Sequence, residues 1–342
     1  MRFREIEILL SHGRSRLWCM FGYAGKFAVV TAAGLALVCG SGVRCAGQDA
    51  KPAQAPVKIL VHGHRGSRAT RPENTLPAFH YAMEHGVDVL ELDLAVTKDN
   101  QLVVSHSPYI VQDPLAVGHE RSCKGPEYPA RTAIHQLTLA EVEKFDCGVG
   151  TLVDFPKQVQ VPGTHVATFD QVLDLMEGNK VELNVETKIF PSHPEFTPSP
   201  AEFVRLIVDA IHRHHADESR IILQSFDYRT LIEMRKQDAK IRLSALVNLS
   251  AGDAMNGITD HNKDFVHIHE VTGAEIISPE LRLVTPEQVA AVHKLGVQVA
   301  PWTADTPAQW QKMADAHVDA IISDDPEALL AWLKAQKPAL HD

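Results

Sequence analysis

The chain has 342 residues, 45% of them apolar, and a formal charge of −10 at pH 7 with histidine neutral. That length can bury a sizeable core in one large domain or two smaller ones. The acidic balance excludes a sequence-independent grip on nucleic acid, which needs a basic face, and nineteen histidines make any single one a weak signal.

Residues 1–50 read as a signal peptide and linker. Lys26 precedes FAVVTAAGLALV, an apolar run of twelve residues, followed by the small and polar CGSGVRCAGQDA. The run is too short to span a bilayer comfortably and suits a secretory h-region. An uncleaved anchor is the competing reading, but no long apolar stretch follows. The expectation is therefore an exported chain, periplasmic or secreted, with no stable membrane span once processed. Arg44 interrupts both an A-x-A site ending at Ala46 and a lipoprotein signal at Cys45. The cleavage point stays open, and Met20 is an alternative start.

After the linker KPAQAP at 51–56, β-branched runs alternate with helical patterns. A strand over 57–64 leads into the helix NTLPAFHYAMEHG, with Asn74 or Thr75 as N-cap and Gly86 as stop. Further strands are expected at 87–94, 180–188, 220–226, 241–247, 274–279, 297–302 and 319–324, most of them separated by helical stretches such as AEFVRLIVDAIHRHH and TPEQVAAVHKLG. Eight near-continuous apolar strands with intervening helices predict an α/β fold, a (β/α)8 TIM-type barrel. A doubly wound open sheet is the alternative. QLVVSHS is an extra strand that returns from the second barrel strand as a hairpin. The rhythm breaks over about 107–166, which reads as an insertion after that hairpin, on a loop that crowns the mouth of a barrel. It contains Cys123 and Cys147, either a disulfide or two free thiols. HIHE at 267–270 is expected in a solvated loop, and HRHH at 212–215 at a helix end, where cations suit the dipole.

The hairpin ELDLAVTKDNQLVVSHSP, residues 91–108, carries the chemistry. Asp99-Asn100 suits a two-residue turn, so paired residues have numbers summing to 199 and His106 stands opposite Asp93. Glu91 lies on the same face, one pleat below. Two acids at the inner end of a parallel barrel strand are costly to bury alone, and a cation is their natural partner. In KVELNVETKI, Glu182, Asn184, Glu186 and Lys188 share one face. Glu186 is a candidate third oxygen ligand to one Ca²⁺ or Mg²⁺, and Lys188 a candidate anion contact.

HGHRGSRATRPENT ends the first strand. Its His64 and Arg65 emerge at the mouth, with Gly63 and Gly66 permitting close backbone approach. Arginine can hold phosphate bidentately. Two histidines flanking a phosphorus centre can take the nucleophile's proton and protonate the leaving oxygen near neutral pH.

At this point the ordered motifs HRG (64–66), PENT (72–75), ELD (91–93), TKD (97–99), VVSH (103–106), ETK (186–188), QSF (224–226), PWTAD (301–305) and VDAIISDDP (318–326) resemble the glycerophosphodiester phosphodiesterase family of the PLC-like superfamily. The resemblance runs from about 58 to 331, so the barrel domain is placed at 51–342. It implies metal-dependent hydrolysis of a small-molecule glycerophosphodiester to glycerol 3-phosphate and an alcohol. By position it implies Glu91, Asp93 and Glu186 as metal ligands and His64 and His106 as the acid/base pair, with Arg65 and Lys188 as phosphate contacts. Asn74, Gln224 and Trp302 are further substrate-binding candidates, and Trp302 can stack on a quaternary ammonium group. The family's usual aspartate after the second histidine is here Ser107. Serine cannot hold the imidazole with a charged hydrogen bond. Alternatives are a lysolipid phosphodiesterase of the phospholipase C or D kind, marked by a hydrophobic rim on 107–166, and a non-catalytic phosphodiester-binding barrel. Headgroup, metal identity and oligomeric state are not readable from the sequence.

Overall fold

The β-branched and leucine-rich runs become strands wherever their alternate residues can be buried on two sides. In a computed structural model that describes residues 58–111, 123–150, 152–190, 193–249 and 262–336, nine strands form one sheet. They are β1 (Leu60–Gly63), β2 (Val89–Val96), β3 (Leu102–Val104), β4 (Glu182–Thr187), β5 (Ile221–Ser225), β6 (Arg242–Val247), β7 (Ile276–Pro279), β8 (Gln298–Val299) and β9 (Ala320–Ser323). The segment expected at 1–50 lies outside the described residues. Eight strands run parallel in the order β8-β7-β6-β5-β4-β2-β1-β9, and β3 pairs antiparallel with β2. The N–H groups of Asp319 and Ile322 donate to Val299 O and Pro301 O, both at 3.0 Å, and bridge the two end strands. The sheet is thus a nearly closed barrel, which rules out the open doubly wound alternative.

Helices α1 (Leu76–Glu84), α2 (Leu139–Val142), α3 (Phe169–Asp174), α4 (Pro200–Arg213), α5 (Tyr228–Gln237), α6 (Phe265–Thr272), α7 (Pro286–His293), α8 (Pro307–Asp315) and α9 (Pro326–Gln336) follow the strands. Thr75 is the N-cap of α1, and its hydroxyl accepts from Ala78 N. HIHE lies within α6 rather than in a loop, because Phe265, Ile268 and Thr272 form a buried stripe and Asp264 caps its start. Arg213 and the C-cap His214 end α4, as the dipole favours. Among the described residues, no helix is long and apolar enough to cross a membrane.

Leu90, Leu92 and Leu94 of β2, Leu183 and Val185 of β4, and Leu223 of β5 belong to the main core with Phe79, Phe203 and Ile207 of the helices. Their alternate neighbours turn inward. At the N-terminal end the barrel is filled by Ile222, Ile276, Ala300 and Ala320 with Leu60. Above that layer the inward residues are polar or charged and buried, among them Glu91, Asp93, Asn184, Glu186 and Gln224. Burying them is costly unless they are paired, so the chemistry belongs at the C-terminal mouth.

The hairpin register differs from expectation by one residue. Leu94 pairs with Val104, Ala95 with Val103 and Val96 with Leu102, so paired numbers sum to 198. Thr97 N donates to Gln101 O at 2.9 Å, and the intervening loop 98–100 ends at Asn100 with φ 60°. A three-residue loop closed by a left-handed residue matches strand twist, whereas a type I′ turn needs positive φ at both central residues. Ser105, not His106, therefore stands opposite Asp93, and its N–H donates to Asp93 O at 2.9 Å.

Between β3 and α3 the chain builds a satellite core of Ile110, Ile134, Leu137, Val142, Phe145, Cys147 and Val166 against Ala95 and Val103. A Cys123–Cys147 disulfide ties this segment, which resolves the choice left open by the sequence.

Candidate active site

The turn after β1 presents the first histidine. A Cβ at Gly63 would lie 2.2 Å from Gly66 O, and one at Gly66, where φ is +86°, would lie 2.8 Å from Ala78 of α1. Only glycine lets this turn close onto the helix. Arg65 between them adopts φ 51°, a left-handed conformation uncommon for any residue but glycine. Its N–H donates to Glu91 Oε2 at 2.9 Å, and its guanidinium donates to Glu73 Oε1 at 3.0 Å with Nε 3.3 Å from Asp93 Oδ2.

Parallel pairing places Asp93 beside Glu186 and, one pleat below on the same face, Glu91 beside Asn184. One oxygen from each of Glu91, Asp93 and Glu186 lies within 4.8 Å of the others, and all three residues are buried. Gln224 Nε2 donates to Glu91 Oε1 at 2.6 Å, and Asn74 Nδ2 to Asp93 Oδ2 at 2.8 Å. Lys188 Nζ lies 2.6 Å from Glu186 Oε1 and 3.0 Å from Asp93 Oδ1. The acids respond unequally. Burial, then Asp93 and Glu186, push Glu91 well above the carboxylate range. Burial and the Asp93 charge, against Lys188, push Glu186 up to about 7. Burial alone would raise Asp93 too, but Lys188, His106, Arg65 and the Asn74 bond hold it well below. Three buried oxygen donors with frustrated ionisation are the donor set of a hard divalent cation, and this cluster could hold one.

The two imidazoles differ in support. His64 Nδ1 lies 2.5 Å from Asp324 Oδ1, and Nε2 lies 3.9 Å from Glu91 Oε2. Burial lowers the proton affinity of His64, while the Asp324 charge and hydrogen bond oppose that fall. Asp324 N in turn donates to Asp305 Oδ1 at 2.7 Å, and burial beside Asp324 raises the Asp305 carboxyl to about 7. His106 is delivered to the mouth by the chain leaving β3. Burial, Arg65 and Lys188 drive its proton affinity well down, and Asp93 only partly offsets them. The Ser107 hydroxyl accepts from Tyr109 N at 3.2 Å instead of meeting the imidazole, consistent with the weaker support expected of serine.

A cavity of about 280 Å³ opens over this cluster. Its lining combines the charged and polar His64, Arg65, Arg68, Glu91, His106, Glu186, Lys188 and Gln224 with the apolar Phe226, Leu246, Trp302 and Ile322. Trp302 donates from Nε1 to Ser278 O at 2.8 Å and stands edge-on to Phe226 at 5.6 Å. Its ring is thereby held in one orientation.

Of the candidates read from the sequence, Glu91, Asp93, Glu186, His64, His106, Arg65, Lys188, Gln224 and Trp302 meet at this cavity. Asn74 does not. It is fully buried behind Asp93 with φ 55°, so it acts on the carboxylate rather than on a ligand. Gln224 lines the cavity with both amide ends engaged, as donor to Glu91 and acceptor from Asn184. Asp324, Asp305 and Glu73 were missed. For Asp324 the position was legible only through barrel closure, which sets the end of the last strand beside the first. Glu73 accepts from both Arg65 and Arg68 and locks the two guanidinium groups.

The glycerophosphoryl diester phosphodiesterase family model matches residues 64–328. A glycerophosphodiester phosphodiesterase from Caldanaerobacter subterraneus subsp. tengcongensis is 28% identical over 278 residues, covering 80% of this chain and 97% of that protein. One from Bacillus subtilis is 25% identical, covering 80% and 86%. A crystal structure of a candidate glycerophosphoryl diester phosphodiesterase from Silicibacter pomeroyi aligns with TM-score 0.70 and 29% identity, covering 82% and 95%. An Oleispira antarctica phosphodiesterase solved with the product sn-glycerol-3-phosphate aligns in fold with TM-score 0.63 and 20% identity, covering 80% and 96%. With a matched span that encloses every barrel strand from β2 to β9 and all three carboxylates, the chain belongs to the glycerophosphoryl diester phosphodiesterase family.

Proposed function

We propose that this enzyme hydrolyses glycerophosphodiesters to glycerol 3-phosphate and an alcohol with one divalent cation, Ca²⁺ or Mg²⁺, held by Glu91, Asp93 and Glu186. The observation that carries the reading is the convergence of three buried carboxylates within 4.8 Å beside two imidazoles in one cavity. The product complex of the Oleispira relative supports the same substrate class. When bound, the cation would neutralise charge on the phosphodiester and polarise its P–O bonds. Arg65 and Lys188 offer further donors to the phosphoryl oxygens. One imidazole takes a proton from the attacking water as its oxygen bonds to phosphorus, while the other delivers a proton to the alkoxide oxygen whose P–O bond breaks, so the alcohol leaves neutral. Asp324 holds His64 in one tautomer, Nδ1–H toward the carboxylate, leaving Nε2 for the substrate.

The test is glycerol 3-phosphate release from glycerophosphocholine and glycerophosphoethanolamine, with EDTA and then metal add-back. Turnover that survives chelation would reject the metal-dependent mechanism, and full turnover in His64→Ala or His106→Ala would reject the acid/base pair. Trp302 is positioned to stack on a choline headgroup, and Trp302→Ala is expected to weaken the choline diester several-fold more than the ethanolamine one. Equal losses would remove that role. The Lys26-led apolar segment supports export, which N-terminal sequencing of the mature chain after cell fractionation would check.

A lysophospholipid substrate is the second reading. Val153 and Val159 are 65% and 54% exposed on the 152–160 stretch. Gln158 Nε2 ties that stretch to the mouth by donating to Arg68 O and Arg71 O at 2.8 and 2.9 Å. Release of choline or phosphocholine from lysophosphatidylcholine faster than glycerophosphocholine turnover would favour it.

A further inference from the structure

Below the carboxylates the barrel interior holds a column of polar side chains that substrate contact does not explain. Gln224 Nε2 donates to Glu91 Oε1 at 2.6 Å, Asn184 Nδ2 donates to Gln224 Oε1 at 2.9 Å, and the same Nδ2 lies 3.4 Å from His62 Nδ1. All four residues are at most 2% exposed. Their strands place them for this. Asn184 is registered beside Glu91 across β2–β4, and Gln224 beside Glu186 across β4–β5.

The column has a direction when Glu91 serves as a ligand: an ionised, ligating carboxylate only accepts, so the Gln224 amide turns its nitrogen to Glu91 and its oxygen to Asn184. Asn184 must then donate, which points its Nδ2 at both Gln224 and His62 and leaves His62 Nδ1 as acceptor. The Asn184 Oδ1 that results is buried with no hydrogen-bond partner. An orphaned buried acceptor is costly, and reversing the amide to relieve it would set two carbonyl oxygens face to face. The orphan is what the observed polarity requires.

We infer that Asn184 and Gln224 are positioning residues for the cation site, with Asn184 acting through Gln224 to hold the Glu91 carboxylate in its ligating orientation. This rests on the metal reading above. Groups that orient ligands in this way typically change metal affinity about 10–100-fold.

The experiment is isothermal titration of the metal-free protein with CaCl₂ and, separately, MgCl₂. Gln224→Met, which keeps volume and removes the donor, is expected to raise Kd about 10–100-fold, and Asn184→Leu about 3–10-fold. Because Asn184 works through Gln224, the double variant should bind within about twofold of Gln224→Met alone, a non-additivity that a merely packed residue would not produce. Additive losses, or single variants within twofold of the parent, overturn the inference. If the leucine is not accommodated, as judged by circular dichroism, Asn184→Ala removes the same amide without adding volume and is read by the same criterion. A parent protein that binds neither ion sinks the metal reading first and this inference with it, a result distinct from additivity in a protein that binds.

Discussion

Asp324→Asn tests the active centre at the point where its support is most direct. The His64 Nδ1–Asp324 Oδ1 contact is 2.5 Å, and the two side chains are 13% and 9% exposed, so solvent screens it little. Asparagine keeps the volume but loses the charge, and its amide can present nitrogen to Nδ1 and favour the wrong tautomer. A hydrogen bond to a charged group is worth about 1.5–3 kcal/mol, which at about 1.4 kcal/mol per decade is a loss of about 10- to 150-fold in kcat/KM. If His64 is the base, KM should move less, because the interaction strengthens as His64 takes the proton in the transition state. Asp324 also raises the proton affinity of His64 against burial. Its removal should therefore shift the His64 limb of the pH–rate profile to lower pH. The assay is kcat/KM against pH for glycerophosphocholine and for a p-nitrophenyl diester. If His64 is the general acid, only the poor alkoxide leaving group suffers; if it is the base, both suffer alike. Rates within twofold of the parent at every pH would refute the reasoning, whichever role His64 has.

Saturating Ca²⁺ or Mg²⁺ at about 100 times Kd should stabilise the fold by about 2.7 kcal/mol, seen as a midpoint rise of about 5 °C in thermal unfolding. Glu186→Gln should lose that rise; a rise of equal size would place the ion elsewhere. In EDTA the same variant should be more stable than the parent at pH 8, because Glu186, with its pKa raised to about 7 by burial and Asp93, destabilises the metal-free fold as pH climbs from its unfolded value through 7. His62 has the opposite sense. Burial holds it down to about 4, so its stability contribution is complete above about 6.5 and is lost as pH falls, by about 3 kcal/mol at pH 4. Urea unfolding of His62→Gln and the parent should converge by that amount between pH 7 and 4, and parallel curves would contradict the burial argument. Reducing the disulfide frees a closed loop with a sequence separation of 24, worth about 3.5 kcal/mol by chain entropy. Dithiothreitol should lower the midpoint by about 7 °C or more, and a shift under about 2 °C would mean the segment opens independently of the barrel.

Much of this protein is local and therefore visible in the chain itself. Alternation of leucine and valine with acids in ELDLAV, the apolar runs at eight spacings, the glycines of HGHRG and the N-capping threonines are properties of a few neighbouring residues. They sufficed to predict the barrel and to bring nine of the ten site candidates to one cavity. What the tertiary structure alone decided is everything that depends on closure and register. The hairpin slipped by one residue because the Thr97–Gln101 loop obeys turn geometry that Asp99-Asn100 does not reveal by composition. Asn74 moved from ligand contact to supporting Asp93 because the preceding turn folds under β2. Asp324 reached His64, 260 positions away in sequence, because the last strand hydrogen-bonds to the first. Residue type and short-range periodicity are written in the chain; which distant side chains share a desolvated interior is set by how the ring closes, and there the charges acquire their partners and their chemistry.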